Sequence, residues 1–328
     1  MTELLPAAAR RRAHRGLLAL GAAALLFSAL YLVLFVNPRH AAFAMSLRLP
    51  RLAGIVLAAA AISAASVVFQ TLIRNRIVTP CLLGMNGLYV LIHTAVVFAF
   101  GSASLFATDR LAAFALDTVI MGCAAGFIYW TLFVRTGGNV LYVLLIGTVL
   151  ATLFTSIQGT LVRMMDPNDY DALLTALVAS FTSVNSAVLV PAALLLALLA
   201  WALRRDLALL DVLALGPESA VSLGVDYRGA VMRLMVGVAL AIAAATAVVG
   251  PLSFLGLITA NIAREATGTF RHAVLVPASI LAGIAVLAAG ELAVEQAMNF
   301  AVPVSVFVTL LGGSYFLWLI LRAKETEQ

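Results

Sequence analysis

Charge is what this sequence has least of. Only 11% of its 328 residues are charged, and 63% are apolar, whereas a soluble domain carries roughly 25% and 45–50%. Too few polar side chains remain to cover a water-facing surface, which excludes a soluble enzyme as the starting expectation. Lysine is nearly missing: Lys324 is the only one, and the other 19 basic residues are arginine. That excludes a P-loop, whose glycine-rich turn needs a lysine to reach the phosphates, and intramembrane Schiff-base chemistry. The two cysteines, Cys81 and Cys123, lie in or near apolar segments and imply no disulfide framework. The four histidines (His14, His40, His93 and His272) are scattered, with no HExxH or CxxC spacing. The chain is thus not expected to hydrolyse ATP or to hold a cofactor or catalytic metal by itself.

Long apolar runs are what the sequence has most of, and they predict one all-α polytopic membrane domain. A basic N-terminus, residues 1–15 with Arg10, Arg11, Arg12 and Arg15, precedes a first span ending near Val36. No small-residue cleavage site follows, so the span is expected to be retained. Further spans are expected near Leu52–Gln70, Met85–Phe100, Leu111–Val134, Val140–Leu161, Val184–Leu203, Ala230–Val249, Ala273–Ala293 and Val302–Leu321. With a short piece from Leu252 to Ile262 this makes about ten helices, a membrane domain over 16–322 and a charged tail over 323–328. The longest polar stretch inside it is 204–229.

Arginine-rich loops favour the cytoplasm. The N-terminus, Arg74, Arg76, Arg135, Arg204, Arg205 and Arg322 then fall inside, with both termini cytoplasmic, and the acidic turn with Asp166, Asp169 and Asp171 falls outside. Trp130, Trp201 and Trp318 sit near expected span ends, where indole favours the headgroup level. One loop breaks the rule: Arg39, Arg48 and Arg51 lie between the first two spans with no acidic neighbour. Contact with lipid phosphates and docking of an acidic partner both account for them.

Four motifs recur in a fixed order. Leu47-Arg48-Leu49-Pro50-Arg51 leads into a small-residue helix ending at Gln70. Leu82-Leu83-Gly84 follows, then Gly250-Pro251-Leu252-Ser253-Phe254-Leu255-Gly256-Leu257, then Val302-Pro303-Val304 with Phe316-Leu317-Trp318-Leu319. Together they resemble the FecCD family, permease subunits of bacterial ATP-binding-cassette importers for iron–siderophore, haem and cobalamin. Departures at Met85-Asn86-Gly87, Thr259-Ala260-Asn261 and Gly312-Gly313-Ser314 resemble its catecholate, enterobactin-type branch.

The resemblance implies a type II importer permease fold in the inner membrane and a transport subunit without chemistry of its own. Its implied partners are two copies of an ABC ATPase, a periplasmic siderophore-binding protein and a second permease subunit, identical or different. It places ATPase coupling at Leu215, Gly216, Pro217, Glu218, Ser219, Ala220 and Gly224, and binding-protein docking at Arg48 and Arg51. A further arginine of the cobalamin-type permease is here Glu295. The residues alone read 215–224 as either a solvated loop or a short rigid helix, with Pro217 and Glu218 suited to its first turn and Gly224 to its end.

Gly250 and Pro251, with Gly256 beyond them, predict a broken helix, beside a pathway or simply packed. Glu291 and Glu295 share a helix face, and Asp117 lies within the fourth span. Such carboxylates are costly in a membrane. They are expected to be hydrated near helix ends; the alternative is a proton-coupled secondary transporter that titrates them.

Overall fold

The computed structural model describes residues 7–102, 104, 109–136, 140–177, 179–182 and 184–325. The chain ends and residues 137–139 lie outside that set. The helices in chain order are α1 (Ala7–Val33), α2 (Ala41–Leu72), α3 (Met85–Phe100), α4 (Arg110–Thr136) and α5 (Val140–Met164). There follow α6 (Pro167–Leu177), α7 (Ser186–Ala202), α8 (Arg204–Ala208), α9 (Leu210–Leu213) and α10 (Pro217–Ser222). The chain ends with α11 (Tyr227–Val249), α12 (Leu255–Thr267), α13 (His272–Met298) and α14 (Val304–Glu325). Among the described residues, six helices (α1, α2, α4, α5, α11 and α13) are long and apolar enough to cross a membrane, and α3, α7 and Val304–Leu317 of α14 are shorter apolar stretches. With α12 they match the expected set, and no strand occurs among the described residues.

The core forms where small side chains let helices approach. Ala58, Ala59, Ala61 and Ala65 on α2 are buried, as are Ala239, Ala243 and Ala244 on α11 and Ala278, Ala282 and Ala288 on α13. Small residues suit membrane helix contacts, because close approach supplies dispersion that water-driven burial cannot. Helices α11 and α13 both pack on α2, α1 packs along α13, and α4 packs along α11. By contrast, only 6% of the apolar stretch of α5 is buried, so α5 stands at the edge of the bundle. Its exposed face carries Thr148, Thr152, Thr155, Ser156 and Thr160, each hydroxyl donating to a carbonyl three or four residues back.

Three boundaries differ from the sequence expectation. Helix α2 begins at Ala41, not near Leu52, and runs through Pro50. Proline favours a first helical turn, so the sequence suggested a start there. The basic N-terminal residues lie in the first turns of α1: Ala13 is buried and the Arg12 guanidinium donates to the Glu265 carbonyl on α12. Helix α14 continues to Glu325, past the expected end at Leu321. The acidic turn does lead into a short helix, α6, and the Asp169 carboxylate accepts from the Ser102 amide at 3.0 Å. Hydrogen bonding to the Ser102 side chain, with this amide contact second, holds the Asp169 carboxyl below its usual pKa.

Candidate functional site

Helix α10 is set by local rules. Pro217 occupies its first turn, Glu218 sits near the positive end of the helix, and Gly216 and Gly224 flank it with φ of +98° and +78°, a region that costs other residues energy. Ala220 is fully buried and anchors the helix on its inner side, above buried Leu210 and Leu213. The outer side is open: Glu218 and Ser219 are exposed, and Leu215, Val221 and Leu223 are each more than 60% exposed. The residues expected at 215–224 thus form one rigid knob with an apolar crown. Val221 was missed in the sequence, because nothing in its neighbours tells which side of so short a helix faces the bundle.

A second set of contacts ties this region to the core. The His272 amide donates to the Asp211 carboxylate at 2.9 Å, and its ring Nδ1 lies 2.5 Å from the same oxygen. The other ring nitrogen, Nε2, lies 2.7 Å from the Thr71 hydroxyl. Asp211 belongs to α9, His272 starts α13 and Thr71 lies in the last turn of α2. One imidazole therefore joins three elements. Beside it, Arg264 on α12 donates to the Gln70 side chain at 2.6 Å. No local signal singles out His272, since its partners are far away along the chain.

The opposite end of α2 and α13 holds Arg48, which is 7% exposed. This corrects the expectation of an exposed arginine pair. Because α2 starts at Ala41, Arg48 lies inside the helix, where it pairs with Glu295 on α13. It also donates to the carbonyls of Tyr31, Leu32 and Leu34 at 2.7, 3.3 and 2.9 Å. These are carbonyls at the C-terminal end of α1, where helical partners run out. Arg51 is half-buried, its guanidinium 5.4 Å from the centre of the Phe300 ring. Arg39 is exposed.

The acidic residues are not hydrated as expected. Glu291 is 2% exposed and its Oε1 has no hydrogen-bond partner. Asp117 is buried, and His93 Nδ1 lies 3.2 Å from its carboxylate.

Three of the four sequence motifs meet in space. A side chain at Gly256 would strike the Ser66 hydroxyl at 1.8 Å, which fixes how closely α12 approaches α2. Asn86 donates to the Ser253 hydroxyl at 2.8 Å. The rings of Phe254 and Phe316 lie 6.0 Å apart. Gly250 ends α11 with φ +84°, and a β-carbon there would come within 2.7 Å of the Ala179 backbone. The break at Gly250 and Pro251 therefore has a packing cause. Among the described residues no group of three metal-ligating side chains occurs, and Cys81 and Cys123 are free thiols.

Comparison with known proteins decides the class. The FecCD transport family matches residues 16–322. The chain belongs to that family. It is a multi-pass membrane protein and a permease subunit, as its motifs suggested. The petrobactin import system permease protein YclO of Bacillus subtilis (strain 168) is 35% identical over 90% of this chain and 94% of its own length. The hemin transport system permease protein HmuU of Yersinia pestis is 32% identical, covering 86% and 84%. The ferric enterobactin transport system permease protein FepG of Escherichia coli (strain K12) is 29% identical, covering 85% and 82%. A solved structure described as a metal-chelate type ABC transporter in an inward-facing conformation shares the fold, with a TM-score of 0.76 at 21% identity over 94% of this chain and 99% of that one.

Proposed function

We propose that this permease carries a ferric siderophore across the bacterial inner membrane as part of an ATP-binding-cassette importer. The observation that carries the ATPase partner is the anchored α10 knob with Leu215, Val221 and Leu223 exposed. An apolar crown on a rigid helix is a surface for another protein. Two copies of an ATPase would seat Pro217–Ser222 and neighbouring Gly216 and Gly224. The Asp211–His272–Thr71 contacts would pass motion at that seat into α2 and α13.

Charge gives the orientation. Residues Arg10 to Arg15 lie on the α1 end that packs on α12, beside the end bearing Arg74, Arg204 and Arg205. The positive-inside rule makes that end cytoplasmic, with both termini inside. The Arg48 end then faces the periplasm. A binding protein would dock near Arg51 and Arg39, with Arg48 supporting the platform from below. The hydroxyl-bearing face of α5 suits a polar passage shared with a second permease subunit, and the break at Gly250, Pro251 and Gly256 would lie near the pathway. Cargo of the enterobactin type is supported by the petrobactin and enterobactin relatives.

No relative supports the proton-coupled alternative, and two of the three carboxylates have structural partners: Glu295 pairs with Arg48, and Asp117 faces His93. The test is mass spectrometry of proteins that co-purify in mild detergent with wild type and with Glu218→Arg. An ABC ATPase present with wild type and lost with the variant supports the reading. Its absence from a folded, monodisperse wild-type sample contradicts it.

A further inference from the structure

An apolar groove of about 250 Å³ lies between α2, α7, α11 and α13. Helices α2 and α11 form its floor, and α7 and α13 stand as its two walls. Every lining residue is apolar, among them Ala64, Val68, Leu199, Leu203, Val238 and Ile280. An empty apolar space of this size stays dry, and its walls forgo dispersion contacts until hydrocarbon fills it.

Depth and charge say which hydrocarbon. On α13 the lining residues Val276 and Ile280 lie four and eight residues from the helix start, or about 6 and 12 Å along the axis. On α2, Val68 and Ala60 lie four and twelve residues from Leu72, or about 6 and 18 Å. The groove thus spans one half of a hydrocarbon core roughly 30 Å thick, on the Arg204 side. At its rim, Leu203 and Leu207 bracket Arg204 and Arg205, both exposed. Arg204 lies 5.0 Å from the ring centre of Trp201, itself 63% exposed, as suits an indole at headgroup level. Neither arginine makes an ion pair among the described residues. The nearby carboxylates are engaged elsewhere: Asp206 receives two bonds from Arg233, at 2.9 and 2.8 Å, and Asp211 is held by His272.

We propose that this groove binds one anionic phospholipid, with an acyl chain between α7 and α13 and its phosphate at Arg204 and Arg205. The site rests on the membrane placement of the helices and not on the cargo. Native mass spectrometry tests it, after the purified protein is equilibrated with phosphatidylglycerol or with phosphatidylcholine. Wild type should retain one phosphatidylglycerol per chain with roughly ten-fold preference or more, two surface arginines being favourable to anionic headgroups. Arg204→Gln with Arg205→Gln should bring that preference below about two-fold, on the same basis. Ala64→Phe should displace both lipids, and Ala200→Phe at the exposed rim should do the same without touching the core. Equal retention of the two lipids by wild type would overturn the proposal. So would undiminished retention by folded Ala200→Phe, or a photocrosslinker at position 200 that captures a second permease chain and no lipid.

Discussion

The two ends of the α2–α13 pair are fastened by different chemistry. At the Arg48 end a buried guanidinium holds one carboxylate and three carbonyls of α1. At the His272 end an imidazole bridges a buried hydroxyl and Asp211, whose side chain is 45% exposed. Removing one partner of a buried charge pair strands the other at high cost. A partly hydrated carboxylate loses much less, because water replaces its partner. The contrast sets one buried, fully paired end against one end whose carboxylate is partly hydrated; in the orientation proposed above, the second is the end a lever would present to the ATPase.

The largest expected effect comes from breaking the fixed end. Arg48→Ala should destabilise the protein by about 3–5 kcal/mol, read as a fall in apparent melting temperature in detergent. The reciprocal swap Arg48→Glu with Glu295→Arg should recover little, because α1 carbonyls need a donor at position 48. Full recovery would show that the ion pair alone matters. At the other end, Asp211→Ala should cost about 1 kcal/mol by the same melting assay. A loss equal to that of Arg48→Ala would erase the contrast. Leu223→Ser should change stability by less than about 0.5 kcal/mol, as exposed substitutions do, while weakening ATPase capture in a pull-down. Arg51→Glu should shift binding-protein affinity by the roughly 0.2–1 kcal/mol of one surface pair, measured by surface plasmon resonance.

Much of this was legible in the sequence, because membrane spans and punctuation are local signals. The apolar runs placed the helices, most of them within a few residues but α2 by eleven, and Pro217 with Gly224 left α10 open between a short helix and a solvated loop. Pro50 misled, since proline inside α2 reads like a beginning. The fate of side chains was not legible where distant segments decide it. Arg48 is buried by α1 and α13, Glu291 is buried on a helix packed by sequence-distant α1 and α2, and His272 meets Asp211 and Thr71 across 61 and 201 residues of chain. Exposure on a six-residue helix was equally invisible, which is why Val221 escaped notice.

The most direct test of the lever is to measure ATP hydrolysis and siderophore uptake side by side in proteoliposomes holding the assembled transporter, for wild type, His272→Ala and Asp211→Ala. The account predicts hydrolysis within about two-fold of wild type and uptake lower by roughly ten-fold or more, about 1.4 kcal/mol of lost coupling. Unchanged uptake with the tie removed, or a parallel fall in both activities from intact complexes, would contradict it.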